Sequence, residues 1–390
     1  MDIRSMAGLK SYQEAIEKKF GQQARVFLFW KGRVALYTIL RALGIGEDDE
    51  VIIPGYTCVV VPNAVMYAGA TPIYADVDKD TYTVSADRIR PLITSRTKAI
   101  VAQNTYGLSA DLDPILALAK EHGIEVIDDC THGFGGRYKG VLNGTRTKAS
   151  FFSTQWNKPY STGIGGFAVI NDDELSKKIG ASESQLIQPE FKEVLSLRIM
   201  HFARKNLLTD STYWPLVNLY RWLSKRNLVT GSSQGEELES PTMPANFVKA
   251  HSEFQANVGL NEIGRWKADA AFRKKVSTRY DEVLKDLGKR VPEQPEYADH
   301  LFLKYAILVS DRSRFMELAE GAKIRLGDWF TSPLHPIEGD LSAWKYQHGS
   351  CPNAEFLAER VVNLPTDPDL SEAELKRVIQ LLEEYSGLIL

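Results

Sequence analysis

KAIVAQNTYGLSADLDPILALAKEHGIEVIDD (98–129) decides the fold. KAIVAQN (98–104) and IEVIDD (124–129) are near-continuous apolar runs of strand length. DPILALAKEHG (113–123) between them repeats apolar residues at helical spacing and stops at a glycine. A strand, a helix and a second strand read as a βαβ unit, which brings its strands side by side in parallel. Strands this apolar point to a sheet covered on both faces.

The alternation continues outward in both directions. Toward the N-terminus, PIYADV (72–77) and DEVIIP (49–54) are strands, with NAVMYAGA (63–70) helical between them. RVFLFW (25–30) is a further strand, followed by a helix over VALYTILRAL (34–43), and residues 9–20 form a short amphipathic helix. Toward the C-terminus come the strands ASFFS (149–153) and GGFAVIN (165–171). Residues 252–287 then read as a long helix or helix pair. After it come FLKYAILV (302–309) as a strand, FMELAEGA (315–322) as a helix and LSEAELKRVIQLLEEY (370–385) as the last helix. The expected division is an N-terminal helical segment (1–20), a large α/β domain (21–250) with a helical insertion at about 186–240, and a linking helix with a small domain (251–390).

Bulk properties narrow the function. The 390 residues are 44% hydrophobic and 25% charged, ordinary globular values. Lys and Arg number 47 against 50 Asp and Glu, so no polybasic field recruits nucleic acid. Cys58, Cys130 and Cys351 are far apart, which argues against an iron–sulfur cluster or structural zinc and fits a reducing cytoplasm. MDIRSMAGLKSYQEAIEKKF has no apolar signal core, and no apolar run approaches the length of a membrane span. A soluble cytoplasmic protein is the expectation.

In open parallel sheets, ligands bind at the carboxyl ends of strands. Three features fall there. Gly32-Arg33 joins a strand to a helix N-terminus, whose free N–H groups and positive dipole end suit a phosphate; alone it reads more often as an ordinary turn. Asp129 ends the strand of VIDDCTHG (126–133), where a carboxylate serves as a charge partner or a helix cap. Its neighbour Asp128 must face the other way. Lys158 lies in FFSTQWNKPYSTGIGG (151–166), an aromatic, glycine-punctuated stretch between strands. A desolvated amine is a nucleophile there, a solvated one a surface residue. A phosphate turn, then a strand-end aspartate, then a lysine roughly thirty residues later is the order that pyridoxal 5'-phosphate (PLP) chemistry needs. Asp129 would face the pyridine nitrogen and Lys158 would be the Schiff-base lysine.

On these and further motifs the chain resembles the DegT/StrS-type sugar-nucleotide aminotransferases, a fold-type I PLP family. ALGIGEDDEVIIPGYTCVVVPNAVMYAGATPIYADVD (42–78), TSRTKAIVAQNTYGLSADLD (94–113), VIDDCTHGFGGRYKG (126–140) and FSTQWNKPYSTGIGG (152–166) are similar to successive family segments. HSEFQANVGL (251–260) and LAERVVNLPTDPDLSEAELKRVI (357–379) resemble later ones. The resemblance implies an α/β fold-type I transferase, with a mostly parallel seven-stranded-type sheet between helices plus a smaller C-terminal α+β domain. It implies PLP as cofactor, with Gly32, Arg33, Cys58, Asp129, His132, Ser153, Gln155 and Lys158 around it. The family's Ser-Gly-Thr turn is here Lys31-Gly32-Arg33. Cys58 occupies the place of the usual ring-stacking aromatic, which leaves Tyr56 or His132 to cover that face. His132 could equally be a buried neutral histidine bonded to backbone.

The implied reaction moves an amino group from an amino acid, by resemblance L-glutamate, to a keto sugar carried on a nucleotide, in surface polysaccharide or amino-sugar synthesis. A PLP-dependent sugar dehydratase is disfavoured by Lys158 and by the lack of a cysteine cluster. A non-catalytic PLP-binding regulator is disfavoured by the lack of a basic arm. The resemblance also implies a homodimer in which PANFVKAHSEF (244–254) crosses to the neighbour, with Asn246 and Lys249 as its phosphate contacts. No metal is expected. Residues 186–228 are the part least like the family. They carry seven Lys or Arg against three Asp or Glu, and place Phe191, Leu195, Ile199 and Phe202 on one helical face. Three readings stand: packing on the body, a basic cap over the substrate mouth, or attachment to anionic lipid.

Overall fold

The computed structural model describes residues 7–207, 212, 215–216, 222 and 236–390. The seven strands expected at its centre form one sheet. They are β1 (Arg25–Phe29), β2 (Glu50–Pro54), β3 (Thr71–Ala75), β4 (Thr97–Gln103), β5 (Glu125–Asp129), β6 (Ala149–Ser153) and β7 (Gly166–Ile170). Their spatial order is β3-β2-β4-β5-β6-β7-β1, and β7 alone runs against the others. Every residue of β2 and β7 is buried, as an apolar strand covered on both faces requires.

Helices cover the sheet: α1 (Ala7–Phe20), α2 (Gly32–Ala42), α3 (Val60–Tyr67), α4 (Leu112–His122), α5 (Asp173–Ser182) and α6 (Phe191–Asn206). The βα and αβ junctions follow the sequence punctuation. α4 stops at Gly123 with φ +67°, the left-handed conformation that glycine adopts without a steric penalty. α3 starts three residues earlier than the apolar spacing predicts. The stretch 252–287 resolves into two helices, α7 (Glu253–Glu262), opened by a reciprocal Ser252/Gln255 cap, and α8 (Trp266–Asp286). α9 (Arg312–Gly321), α10 (Pro352–Arg360), α11 (Glu372–Glu384) and the antiparallel pair β8 (Tyr305–Leu308) and β9 (Val361–Leu364) complete the chain. Tyr280, Phe315, Leu364, Val378 and Leu382 build a second apolar cluster around that pair, apart from the main one.

α6 departs from the packing reading of its apolar stripe. Phe191, Leu195, Ile199 and Phe202 do share a face, but that face is exposed. The helix packs on the body with Val194, Leu197 and Met200 instead, against Trp30, Trp156, Ile164 and Phe254. The sequence beyond it is rich in aromatics, of which Tyr213, Trp214 and Tyr220 lie outside the described residues. Among the described residues, no helix is long and apolar enough to cross a membrane.

Candidate active site

The carboxyl ends of β1, β4, β5 and β6 open onto one cavity. Lys31, Gly32, Arg33, Cys58, Gln103, Asp129, His132, Ser153, Gln155 and Lys158 all line it. Eight of the residues expected at the cofactor therefore converge, from segments separated by more than a hundred positions.

The turn after β1 is built by close backbone approach. A Cβ on Gly32 would meet the Phe152 carbonyl oxygen at 2.8 Å, and a Cβ on Gly166 would meet the Gly32 Cα at 2.3 Å. The first turn of α2 has no side-chain cap from Lys31, and a helix N-terminus of this kind suits an anion. Two cations flank it, and both are held by Glu237: Arg33 Nη1 at 2.7 Å and Lys31 Nζ at 3.5 Å. Burial alone would raise the Glu237 carboxyl, but Arg33 and Lys31 together hold it low. Burial, with Arg33 beside it, brings the Lys31 amine down to about 8. Asn63 donates to the Glu237 carbonyl at 2.8 Å and fixes the turn that carries it.

The two aspartates part as strand alternation requires. Asp129 is buried at the cavity wall and one carboxylate oxygen accepts the Thr131 N–H at 2.9 Å. Burial pushes its carboxyl up to about 6, against the pull of Thr131 and Lys158. Asp128 points away from the cavity and accepts from Asn104 Nδ2 at 2.7 Å and from the Gly144 N–H at 2.8 Å.

Lys158 sits on a loop fixed at both ends. Thr154 and Thr162 bond through their hydroxyls at 2.7 Å, Thr162 donates to the Ile164 carbonyl, and Gln255 of α7 donates to the same carbonyl. Its half-buried amine lies 4.6 Å from the centroid of the Trp329 ring. Burial lowers that amine to about 8; Cys58 and Asp129 oppose the shift, while Lys304 and Arg33 add to it. More of the amine is therefore neutral near pH 8 than in an exposed lysine.

His132 satisfies both readings of it. It is buried, Nδ1 accepts the Tyr106 N–H at 3.2 Å, and burial holds its pKa well below the usual value, so it is neutral. It also lines the cavity and stacks on Trp329, with centroids 4.9 Å apart and planes 12° from parallel. Tyr56, expected as a cover for the ring, does not line the cavity. It is buried away from it, bonded to the Tyr106 hydroxyl at 2.8 Å and packed on Phe330. Trp329 lines the cavity, with Phe151 and Phe330; sequence reading missed Trp329, Glu237 and His335. The pairing of Thr57–Cys58 with Leu334–His335 brings the last loop to the site. Asn246 is exposed and does not line this cavity; Lys249 is buried and bonded to Glu193 of its own chain at 2.6 Å. A second cleft lies beside the first, lined by Asn157, Arg204, Lys304, Arg325, Asp328 and Asn363 among others. Among the described residues, no cluster of His, Cys, Asp and Glu could hold a metal ion.

The chain belongs to the DegT/DnrJ/EryC1/StrS aminotransferase family, whose model matches residues 9–199 and 242–383. It is an aminotransferase, and its cofactor is PLP. It is 31% identical to the GDP-perosamine synthase of Escherichia coli O157:H7 over 99% of this chain and 93% of that protein. It is 30% identical to the UDP-N-acetyl-3-dehydro-alpha-D-glucosamine 3-aminotransferase of Acidithiobacillus ferrooxidans, over 90% of this chain and 81% of that one. In fold it is similar to a DegT DnrJ EryC1 StrS aminotransferase from Brucella abortus, with TM-score 0.76 over 98% of this chain and 91% of that one at 23% identity. It is also similar to the putative sugar aminotransferase Spr1654 of Streptococcus pneumoniae, with TM-score 0.75 over 97% and 92% of the two chains at 21% identity.

The residues fit the cofactor. An uncapped helix N-terminus with two adjacent cations matches a phosphate. A buried carboxylate whose pKa is raised gains from a cationic ring nitrogen. An amine of lowered pKa on the same cavity wall matches an aldehyde.

Proposed function

We propose that this aminotransferase moves nitrogen from an amino acid, by family likeness L-glutamate, to a keto sugar linked to a nucleotide. The observation that carries the reading is the convergence of Lys158, Asp129 and the Gly32 turn on one cavity. The sugars named for the two relatives, a GDP-linked product and a UDP-linked 3-dehydro sugar, support a nucleotide-linked acceptor.

Gly32 and Arg33, through their backbone N–H groups, and Ser153 would hold the phosphate. Asp129 would hold the ring nitrogen protonated, and Lys158 would attach to the aldehyde. Bound there, PLP supplies an electron-poor ring that stabilises negative charge on the donor's α-carbon. Lys158, as a neutral amine, would be the base that takes the donor's α-proton and returns it. Its lowered pKa suits that exchange. His132 is neutral and fixed by the Tyr106 N–H, so it orients rather than titrates.

The proposal includes a homodimer. Lys249 is engaged within its own chain, so Asn246 is the residue left to reach a neighbour's phosphate. The test has two stages. Purified protein with L-glutamate should release 2-oxoglutarate in one equivalent per site; no release from glutamate or any other amino acid sinks the transaminase assignment. A panel of nucleotide-linked 3- and 4-keto sugars then names the acceptor by mass spectrometry of the aminated product. Light scattering that finds an active monomer would rule out the dimer.

A further inference from the structure

α6 carries two apolar faces, and among the described residues only one is covered. Val194, Leu197 and Met200 seat it on Trp30, Ile164 and Phe254. The seat is tight. A Cβ on Gly163, in the lysine loop, would meet the Leu197 Cδ1 at 2.7 Å, and Glu193 is bonded to buried Lys249. The helix is thus fixed to the active-site body. On its opposite side Phe191, Leu195, Ile199 and Phe202 stand 79%, 41%, 60% and 61% exposed. These are spaced at i, i+4, i+8 and i+11, one stripe running the length of the helix. Ile187 before the helix and Leu207 after it are exposed too.

The charges beside the stripe narrow what can cover it. At 100° per residue, exposed Arg198 and Lys205 lie along one edge and exposed Lys192 along the other. Of the two carboxylates on this stretch, Glu190 is paired with Lys192 at 2.9 Å and Glu193 is turned inward to Lys249. A second copy of this face is a poor partner. A twofold contact would lay the stripe on its own image and oppose Arg198 and Lys205 to the same cations. A bilayer surface fits both features: apolar side chains enter the acyl boundary while basic flanks reach the headgroups. The sequence that follows, YWPLVNLYRWLSKRN (213–227), has the composition of such a surface, aromatic and basic with no acidic residue. It also lies where the family model does not match, between residues 199 and 242.

We infer that the outward stripe of α6 docks this enzyme on a membrane surface rich in anionic lipid, with Phe191, Ile199 and Phe202 inserted and Arg198 and Lys205 on phosphate headgroups. Because α6 is clamped against the lysine loop, docking would set the cavity at a fixed height above the bilayer. None of these five side chains lines the active-site cavity, so the inference stands apart from the choice of substrate.

The test is co-sedimentation of the full chain with vesicles. Phosphatidylcholine vesicles containing about one-third phosphatidylglycerol should pellet the protein, and pure phosphatidylcholine should pellet far less. Arg198→Gln with Lys205→Gln should weaken partitioning roughly ten- to thirty-fold, at about five-fold per cation. Phe191→Ser, Ile199→Ser and Phe202→Ser together should abolish it, with the melting temperature and the glutamate half-reaction retained. Quenching of tryptophan fluorescence by brominated lipid reports the same contact in the unaltered protein. If the protein stays in the supernatant, unquenched, the proposal fails. A mass that drops by half in the triple variant would then make the stripe a self-interface. An unchanged mass would exclude self-association as well.

Discussion

The lysine loop and α6 touch each other, through Gly163 and Leu197, yet they obey opposite rules. The loop is tied down by hydrogen bonds, Thr154 to Thr162 and both Thr162 and Gln255 to Ile164, and beside it Asp129 is bonded to Thr131. Its chemistry comes from burial, which brings an amine and a carboxyl toward neutrality. On α6 the body-facing side is equally well packed, but the outward side leaves large apolar groups in water. The contrast separates two uses of unfavourable solvation. At the site it tunes pKa values; on the helix it creates affinity for something outside the chain.

Lys158→Ala breaks the first half of the contrast most severely. Turnover should fall at least about ten-thousand-fold while PLP still binds, because the proton carrier and covalent anchor are lost together. Steady-state rates beside cofactor titration check it. In the intact apo protein, covalent capture of PLP should be half-maximal near pH 8, the lowered value of this amine, and fall off below it as the amine protonates. Half-capture near pH 10 would show an amine that burial does not perturb.

The aspartate pair comes next. Asp129→Asn should slow turnover roughly a thousand-fold, about 4 kcal/mol of barrier, with substrate KM little changed. Asp128→Asn should keep turnover within several-fold and instead cost about 1–3 kcal/mol of stability, because Asn104 and the Gly144 N–H lose a charged acceptor. Equal kinetic effects at both positions would overturn the division of labour.

Glu237→Gln sharpens the comparison at the phosphate turn. Its carboxylate holds Arg33 and Lys31 before any phosphate arrives. Removing it should tighten PLP by roughly ten-fold and lower the apo melting temperature, with inorganic phosphate restoring part of the loss. Weaker PLP binding would mean Glu237 aligns the cations rather than competing for them.

The smallest effect belongs to α6. Of its bases, Arg204 alone reaches the second cleft, beside Lys304 and Arg325. Arg204→Gln should raise the KM for the sugar nucleotide about three-fold without touching the glutamate half-reaction, a modest value for an exposed cation. Arg198→Gln should leave both unchanged. A KM shift at Arg198 instead would turn the whole helix toward the substrate.

The sheet was legible because each strand is a short apolar run closed by a turn residue, as at Pro54 and Asp129. Lys158 and Asp129 were legible for the same reason: strand ends are where a parallel sheet presents its chemistry. Glu237 was not, because its partners lie 204 and 206 positions away and only the folded chain joins them. Trp329 was not, because its loop carries no periodicity and is placed by a two-residue pairing with Thr57–Cys58. α6 was half legible. A stripe of Phe and Ile reads the same whether it meets a core or water, and the modest set of Val194, Leu197 and Met200 took the core.

Gly32 and Gly166 meet backbone to backbone, one in the phosphate turn and the other just past the lysine loop. Their contact works as a spacer of fixed thickness between the turn proposed to anchor the cofactor's phosphate and the segment that carries Lys158. For protein engineering this marks a boundary. The long excursion between residues 199 and 242 could be shortened, grafted or exchanged among relatives to change location or substrate. A single methyl group added at either glycine would shift the gauge on which the whole reaction depends.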